Sequence, residues 1–161
     1  MITRFSMVLP VVLAATLCAC SIGNEDDDFS LVGTNYSVAD IAGHWTAARA
    51  FFSQSGTGPV QEVDVVAEGG TVTLQIQTNG RFTLTITREE EAPETSTGRL
   101  GFDEDLLVVS FDDEPDDFTF FGITYAEPGL SIHSVGAAGT FDFDGDGMDE
   151  PAHVAFDFVR S

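Results

Sequence analysis

Near the C-terminal end of the 161-residue chain, the segment Asp142-Phe143-Asp144-Gly145-Asp146-Gly147-Met148-Asp149-Glu150 sets aspartates at alternate positions around two glycines. Calcium takes six to eight oxygen ligands, and carboxylates on a tightly turning backbone deliver them to one point. The spacing predicts a structural Ca2+ site. Asp142, Asp144 and Asp146 supply carboxylates, Met148 its backbone carbonyl, and Glu150 closes the shell. Gly147 permits the sharp turn. The plainer alternative is a solvated acidic turn in an acidic chain. Asp112 to Asp117 has similar charge without glycine, so the same reading does not extend to it. The expected affinity is weak, on the order of 10⁻⁴–10⁻³ M as in extracellular modules, and the expected role is to pin the last hairpin.

Other chemistry is sparse. His44, His133 and His153 are scattered, with no metal-binding helix spacing. There is no Gly-x-Ser-x-Gly elbow and no phosphate-cradling glycine loop. The expectation is a non-enzymatic protein. The chain carries 27 Asp plus Glu against 6 Lys plus Arg, a net charge of −21, and all the cations are arginine. Phosphate neutralisation needs clustered cations, so nucleic acid is excluded as a partner. A monomer is expected.

The acidic loop needs strands on either side, and the pattern supplies them. From Gly43 onward the chain mostly alternates with a period of two, the mark of half-buried strands. Strands are predicted over Gly43–Ser53, Val60–Ala67, Thr71–Gln77, Arg81–Arg88, Ser96–Phe102, Leu106–Phe111, Phe118–Tyr125, Leu130–Val135, Thr140–Phe143 and Ala152–Val159. Asn79-Gly80 forms a tight hairpin turn. Glu89 to Glu94 and Asp112 to Asp117 are acidic connections. Before the first strand, Ser37 to Gly43 reads as one helical turn, with Ser37 as N-cap and Gly43 as stop. About eight to ten sequential strands with short turns predict an all-β, antiparallel up-and-down meander, closed into a barrel or folded as a sandwich, with the barrel preferred because closure removes exposed sheet edges. The calcium loop, lacking flanking helices and with His153 where a helix-loop-helix site needs its Glu, resembles those between strands of β-propeller and repeat proteins.

The N-terminus reads as an address. Arg4 precedes an apolar run, Met7 to Leu17, of about eleven residues, short of the ~20 that span a bilayer. Leu17-Cys18-Ala19-Cys20 resembles the lipobox of bacterial lipoproteins. The resemblance implies a signal peptide over 1–19, a lipidated Cys20 and an exported, lipid-anchored protein of the bacterial cell envelope. Ser21 after the anchor implies the outer membrane. An ordinary cleaved signal is the alternative. Residues 20–35 then form an acidic tether, through Gly23 to Asp28, leaving 36–161 as the barrel domain. Removal of residues 1–19 leaves Cys20 alone, so no internal disulfide is expected.

Gly43-His44-Trp45, preceded by a helical turn, resembles the Gly-x-Trp signature of lipocalins and bacterial lipocalin-like domains. The resemblance implies a Trp45 indole closing one end of the barrel, with Arg160 from the last strand lying over it. It also implies a small apolar or amphipathic ligand inside. By strand alternation an inward Trp45 places Ala47, Arg49 and Phe51 inward too. Arg49 then meets a ligand carboxylate or an inward acid, unless the strand shifts phase and leaves it in water. Phe51, Phe82, Phe120 and Phe156 either line a cavity or fill the barrel. Two functions follow: a lipid-anchored ligand binder, or a calcium-stabilised structural or interaction module with a filled core.

Overall fold

The computed structural model describes residues 29–56 and 60–161. The expected signal segment, Cys20 and the acidic stretch through Asp28 lie outside the described residues. A single helical turn, α1 (Val38–Ile41), leads into ten strands: β1 (Gly43–Gln54), β2 (Glu62–Asp64), β3 (Thr71–Ile76), β4 (Arg81–Thr87), β5 (Glu94–Asp103), β6 (Leu106–Phe111), β7 (Glu114–Ala126), β8 (Gly129–Ser134), β9 (Gly139–Phe141) and β10 (Glu150–Arg160). Every pairing is antiparallel. From β3 to β8 each strand pairs with the next, and β1, flanked by β3 and β10, closes the ring. The fold is therefore an all-β, up-and-down barrel of eight strands, with β2 and β9 as short additions.

These additions sit together. The first residues of β1 pair with β3 and its later ones with β2. Likewise β10 pairs with β9 at its start and with β8 thereafter. The β1–β10 ribbon thus rises past one end of the barrel with β2 and β9 on its flanks. This end is called the mouth below, and the end at α1 the floor.

Alternation explains the core. Val72, Leu74 and Ile76 of β3 are buried while Thr71, Thr73 and Gln75 are exposed, the pattern of a strand with one dry face. The hairpin at Asn79-Gly80 forms as a four-residue turn, in which only Gly80 has positive φ, at 84°. Asn79 instead accepts the Arg81 amide through its side chain.

Three expectations about elements need correction. The second strand is shorter, ending at Asp64, because that carboxylate accepts the Ala50, Val66 and Ala67 amides and turns the chain. The seventh strand is longer, because Glu114 to Asp117 extend it through the expected acidic turn. A bulge between Val109 and Phe111 admits this, and the Ser110 hydroxyl donates to the Pro115 carbonyl. Finally, the segment from Phe29 to Asn35 is docked rather than tethering. Ser30 and Phe102 exchange backbone hydrogen bonds, and the Thr34 amide donates to Glu104. Gly101 makes room: a Cβ there would lie 2.3 Å from the Phe29 ring.

Candidate functional site

The floor is built from residues far apart in sequence. Ser37 caps α1 in a capping box with Asp40, whose carboxyl is held below the usual range by hydrogen bonds from the Ser37 hydroxyl and amide. The Trp45 indole is 1% exposed, and its Nε1–H donates to the Ile41 carbonyl at 2.9 Å. The Arg160 guanidinium carbon lies 4.3 Å from the indole centre. Its nitrogens donate to the carbonyls of Ala42 and Asp40 at the end of α1, where a cation also opposes the helix dipole. Tyr125 packs edge-on against Trp45 and accepts from Arg160. Gly43, at φ 146°, leaves space for this stack, since a Cβ would come 2.5 Å from an Arg160 nitrogen. The glycine thus follows the Ala42 C-cap, where α1 stops as expected, and also makes room for the arginine. These contacts match what the Gly-x-Trp resemblance implies for Gly43, Trp45 and Arg160.

Above the floor the barrel is nearly filled. A cavity of about 50 Å³ remains, lined wholly by apolar side chains, among them Leu84, Phe111, Phe121 and Phe156. Those same four residues also line a depression of about 360 Å³ at the mouth. The barrel interior is therefore an apolar funnel, closed below and open above. A second depression of about 660 Å³ lies beside it, between the β2 turn and the β9–β10 loop. Phe141 and Phe143 line it, at one end of a chain of contacting rings that runs back through Phe52 and Phe156 to Phe158, tilted or edge-to-face with centres 5.0–6.0 Å apart.

The expected pocket residues divide. Phe82 and Phe156 face inward and line the cavity. Arg49, Phe51 and Phe120 do not. The β1–β10 register slips between Ala47 and Arg49, so Ala50 and Phe52 are buried in place of Arg49 and Phe51. The Arg49 side chain is 58% exposed, ion-paired with Asp157 at 3.8 Å and stacked over Phe51. Phe120 pairs with Val108 on the outer face, and Phe121, opposite Leu107, takes the inward place.

Arg88 is the residue that sequence reasoning passed over. It lines both mouth depressions, although the alternation Phe82, Leu84, Ile86 already points to it as the next inward position. Its guanidinium sits 4.7 Å from the Phe141 ring centre, with Glu91 and Glu94 oxygens at 3.3 and 3.7 Å. Its Nε is buried without a hydrogen-bond partner.

In the acidic loop, oxygens of Asp142, Asp144 and Asp146 lie within 4.8 Å of one another. Asp142 accepts the Gly145 and Gly147 amides, and Gly147 has φ 85°. Glu150 does not join the cluster but accepts the Phe143 amide, and the Met148 side chain is exposed. Elsewhere, Arg81 makes a two-pronged bond to Asp112. With the Thr97 hydroxyl, it lowers that carboxyl to about 2.

A scan of protein-family descriptions finds no match to this sequence, and no curated protein matches it. Among solved structures, the fold is similar to a lipocalin-like protein from Bacteroides uniformis ATCC 8492, with TM-score 0.42 and 14% identity over 76% of this chain and 99% of that one. It is also similar to an uncharacterized protein from Bacteroides eggerthii DSM 20697, with TM-score 0.41 and 12% identity over 74% of this chain and 98% of that one.

Proposed function

We propose that this is an exported envelope protein, anchored through Cys20 at the outer membrane, whose barrel binds a small apolar or amphipathic molecule at its mouth. The observation that carries the reading is the one-ended apolar funnel. Ligand sites are concave, mostly apolar, and usually 300–1,000 Å³ in volume. The mouth, at about 360 Å³, lies at the lower end of that range and leads onto an entirely apolar inner cavity. The 50 Å³ interior cavity alone is too small for such a ligand, so the molecule sits in the upper barrel rather than deep inside it.

Native mass spectrometry of the protein exported to a bacterial periplasm and purified without detergent tests this. The expected result is an adduct of a few hundred daltons. Leu84→Trp fills the throat of the funnel and removes the adduct. Bare wild-type protein would instead favour the second reading, a structural or interaction module, which the nearly filled lower barrel supports.

The acidic loop is proposed as a calcium site that stabilises the start of β10 and the hairpin it forms with β9. Three convergent aspartates support it, and the diversion of Glu150 to the Phe143 amide leaves a shallow shell. With a dissociation constant of about 10⁻⁴–10⁻³ M, 1 mM calcium stabilises by roughly 0.4–1.4 kcal/mol. Calcium then raises the melting temperature by about 2–6 °C, EDTA reverses the rise, and Asp144→Asn abolishes it. A melt indifferent to both calcium and EDTA rules the site out.

A further inference from the structure

The charge around the mouth goes a step further than the proposed function, on which it rests. We infer that the molecule bound there is a cationic amphiphile: a compact apolar body carrying an ammonium, amidinium or guanidinium group. Its body occupies the funnel over Leu84, Phe111, Phe121 and Phe156. Its cation meets the rim.

That rim is acidic on both sides. Glu94, Asp113 and Glu114 edge the funnel itself, and Glu91, Asp142 and Asp144 edge the depression beside it. Arg88 is the sole cation among the described residues that line either one. Low-dielectric walls focus the field of fixed charges into a cleft, so an approaching anion is repelled from the funnel and a cation drawn to it. The acidity of the chain elsewhere does not alter this, because the potential at the mouth is set first by the charges standing there, within a Debye length.

Arg88 itself demonstrates a resting place for a cation at this site. Its guanidinium lies over Phe141 with two carboxylates beside it. An aromatic face bordered by carboxylates is also the arrangement that holds alkylammonium groups. Ring contacts continue that surface from Phe141 and Phe143 in the depression to Phe52 and Phe156 in the funnel. One group favours a different ligand feature: the unpartnered Arg88 Nε calls for an acceptor. Because Glu91 and Glu94 already oppose the guanidinium charge, a neutral hydroxyl or carbonyl on the ligand satisfies that donor without an anionic group.

The test uses three probes with one 4-phenylbutyl body, ending in trimethylammonium, hydroxyl or sulfonate. Each is titrated calorimetrically into the full chain in zwitterionic nanodiscs, with empty discs as the blank, at low and high salt. The ammonium probe binds at least about tenfold more tightly than the sulfonate at low salt, and the gap narrows at high salt as screening demands. Combining Glu94→Gln, Asp113→Asn and Glu114→Gln removes most of the preference and leaves the alcohol unchanged. If that variant does not fold, Asp113→Asn and Glu114→Gln made singly at these exposed rim positions carry the test, and an unchanged ammonium preference in both overturns the role of the rim. Sulfonate binding as tight as ammonium overturns the charge inference while leaving the mouth a ligand site. Failure of all three probes to bind overturns the mouth as well.

Discussion

Trp45→Ala destabilises the barrel by about 3–5 kcal/mol, the range for truncating a large buried aromatic. The indole is 1% exposed at the start of β1 and is engaged on every side. Its loss leaves a cavity beneath the core, orphans the Ile41 carbonyl that accepts its Nε1–H, and removes the surface on which Arg160 rests. The aromatic stack alone is worth about 0.5–2 kcal/mol. For a domain of this size the melting temperature falls by roughly 10–25 °C. Trp45→Phe separates the contributions: it refills much of the volume, lacks the N–H donor and offers a weaker ring to the guanidinium, so it costs less than half as much. Urea melts of the two variants measure both quantities. A loss below about 1 kcal/mol for Trp45→Ala would mean that the floor is held by α1 and the strands without the indole.

Gly98→Ala is the second large effect, at about 3 kcal/mol, the upper end of what overpacking a filled core costs. Gly98 is buried in β5, paired with Phe82 on one side and Phe111 on the other. An added Cβ would stand 2.2 Å from the Ser110 carbonyl oxygen and 2.7 Å from the Phe82 ring. The first of these is backbone, so no rotamer change relieves it. The Phe82 and Phe111 rings meet edge-to-face at 5.7 Å, a contact that an intervening methyl group disturbs. Gly136→Ala is the control, since nothing lies within 4 Å of its Cβ position. Equal denaturation midpoints for the two variants would show that β5 and β6 shift apart without cost.

How much of this was legible beforehand depends on which signal carried it. Strand existence follows from period-two alternation and turn residues, which are local, whereas closure into a barrel rather than a sandwich rests on the pairing of β1 with the distant β10. The floor was legible through one short motif, because Gly43, Trp45 and Arg160 each have few substitutes in that geometry. The mouth was not. Phe51-Phe52 and Phe120-Phe121 are adjacent pairs of identical residues, so alternation alone does not choose which ring points inward. A bulge after Ala47 decides the first pair, and pairing with Leu107 the second. Both are facts of register between distant strands. The same bulge decides between the two expectations for Arg49, leaving it in water rather than inward. Arg88 was in phase with its strand all along but was overlooked because a cation at an inward position looks like a strand end. The acidic loop was legible as a cluster, but the turn of Glu150 toward Phe143 depends on how β9 and β10 pair.

The seam between β1 and β10 also governs when the barrel can close. Trp45 pairs with Arg160, and the Ser161 amide donates to the His44 carbonyl, across almost the whole length of the domain. Contacts so distant in sequence form late and slowly, because the loop they close must be ordered first. Synthesis from the N-terminus makes β1 first, but its partner β10 follows all the other described strands. Until then β1 has β3 on one side and an open edge on the other. The barrel therefore stays open along this seam until β10 has been made and laid against β1.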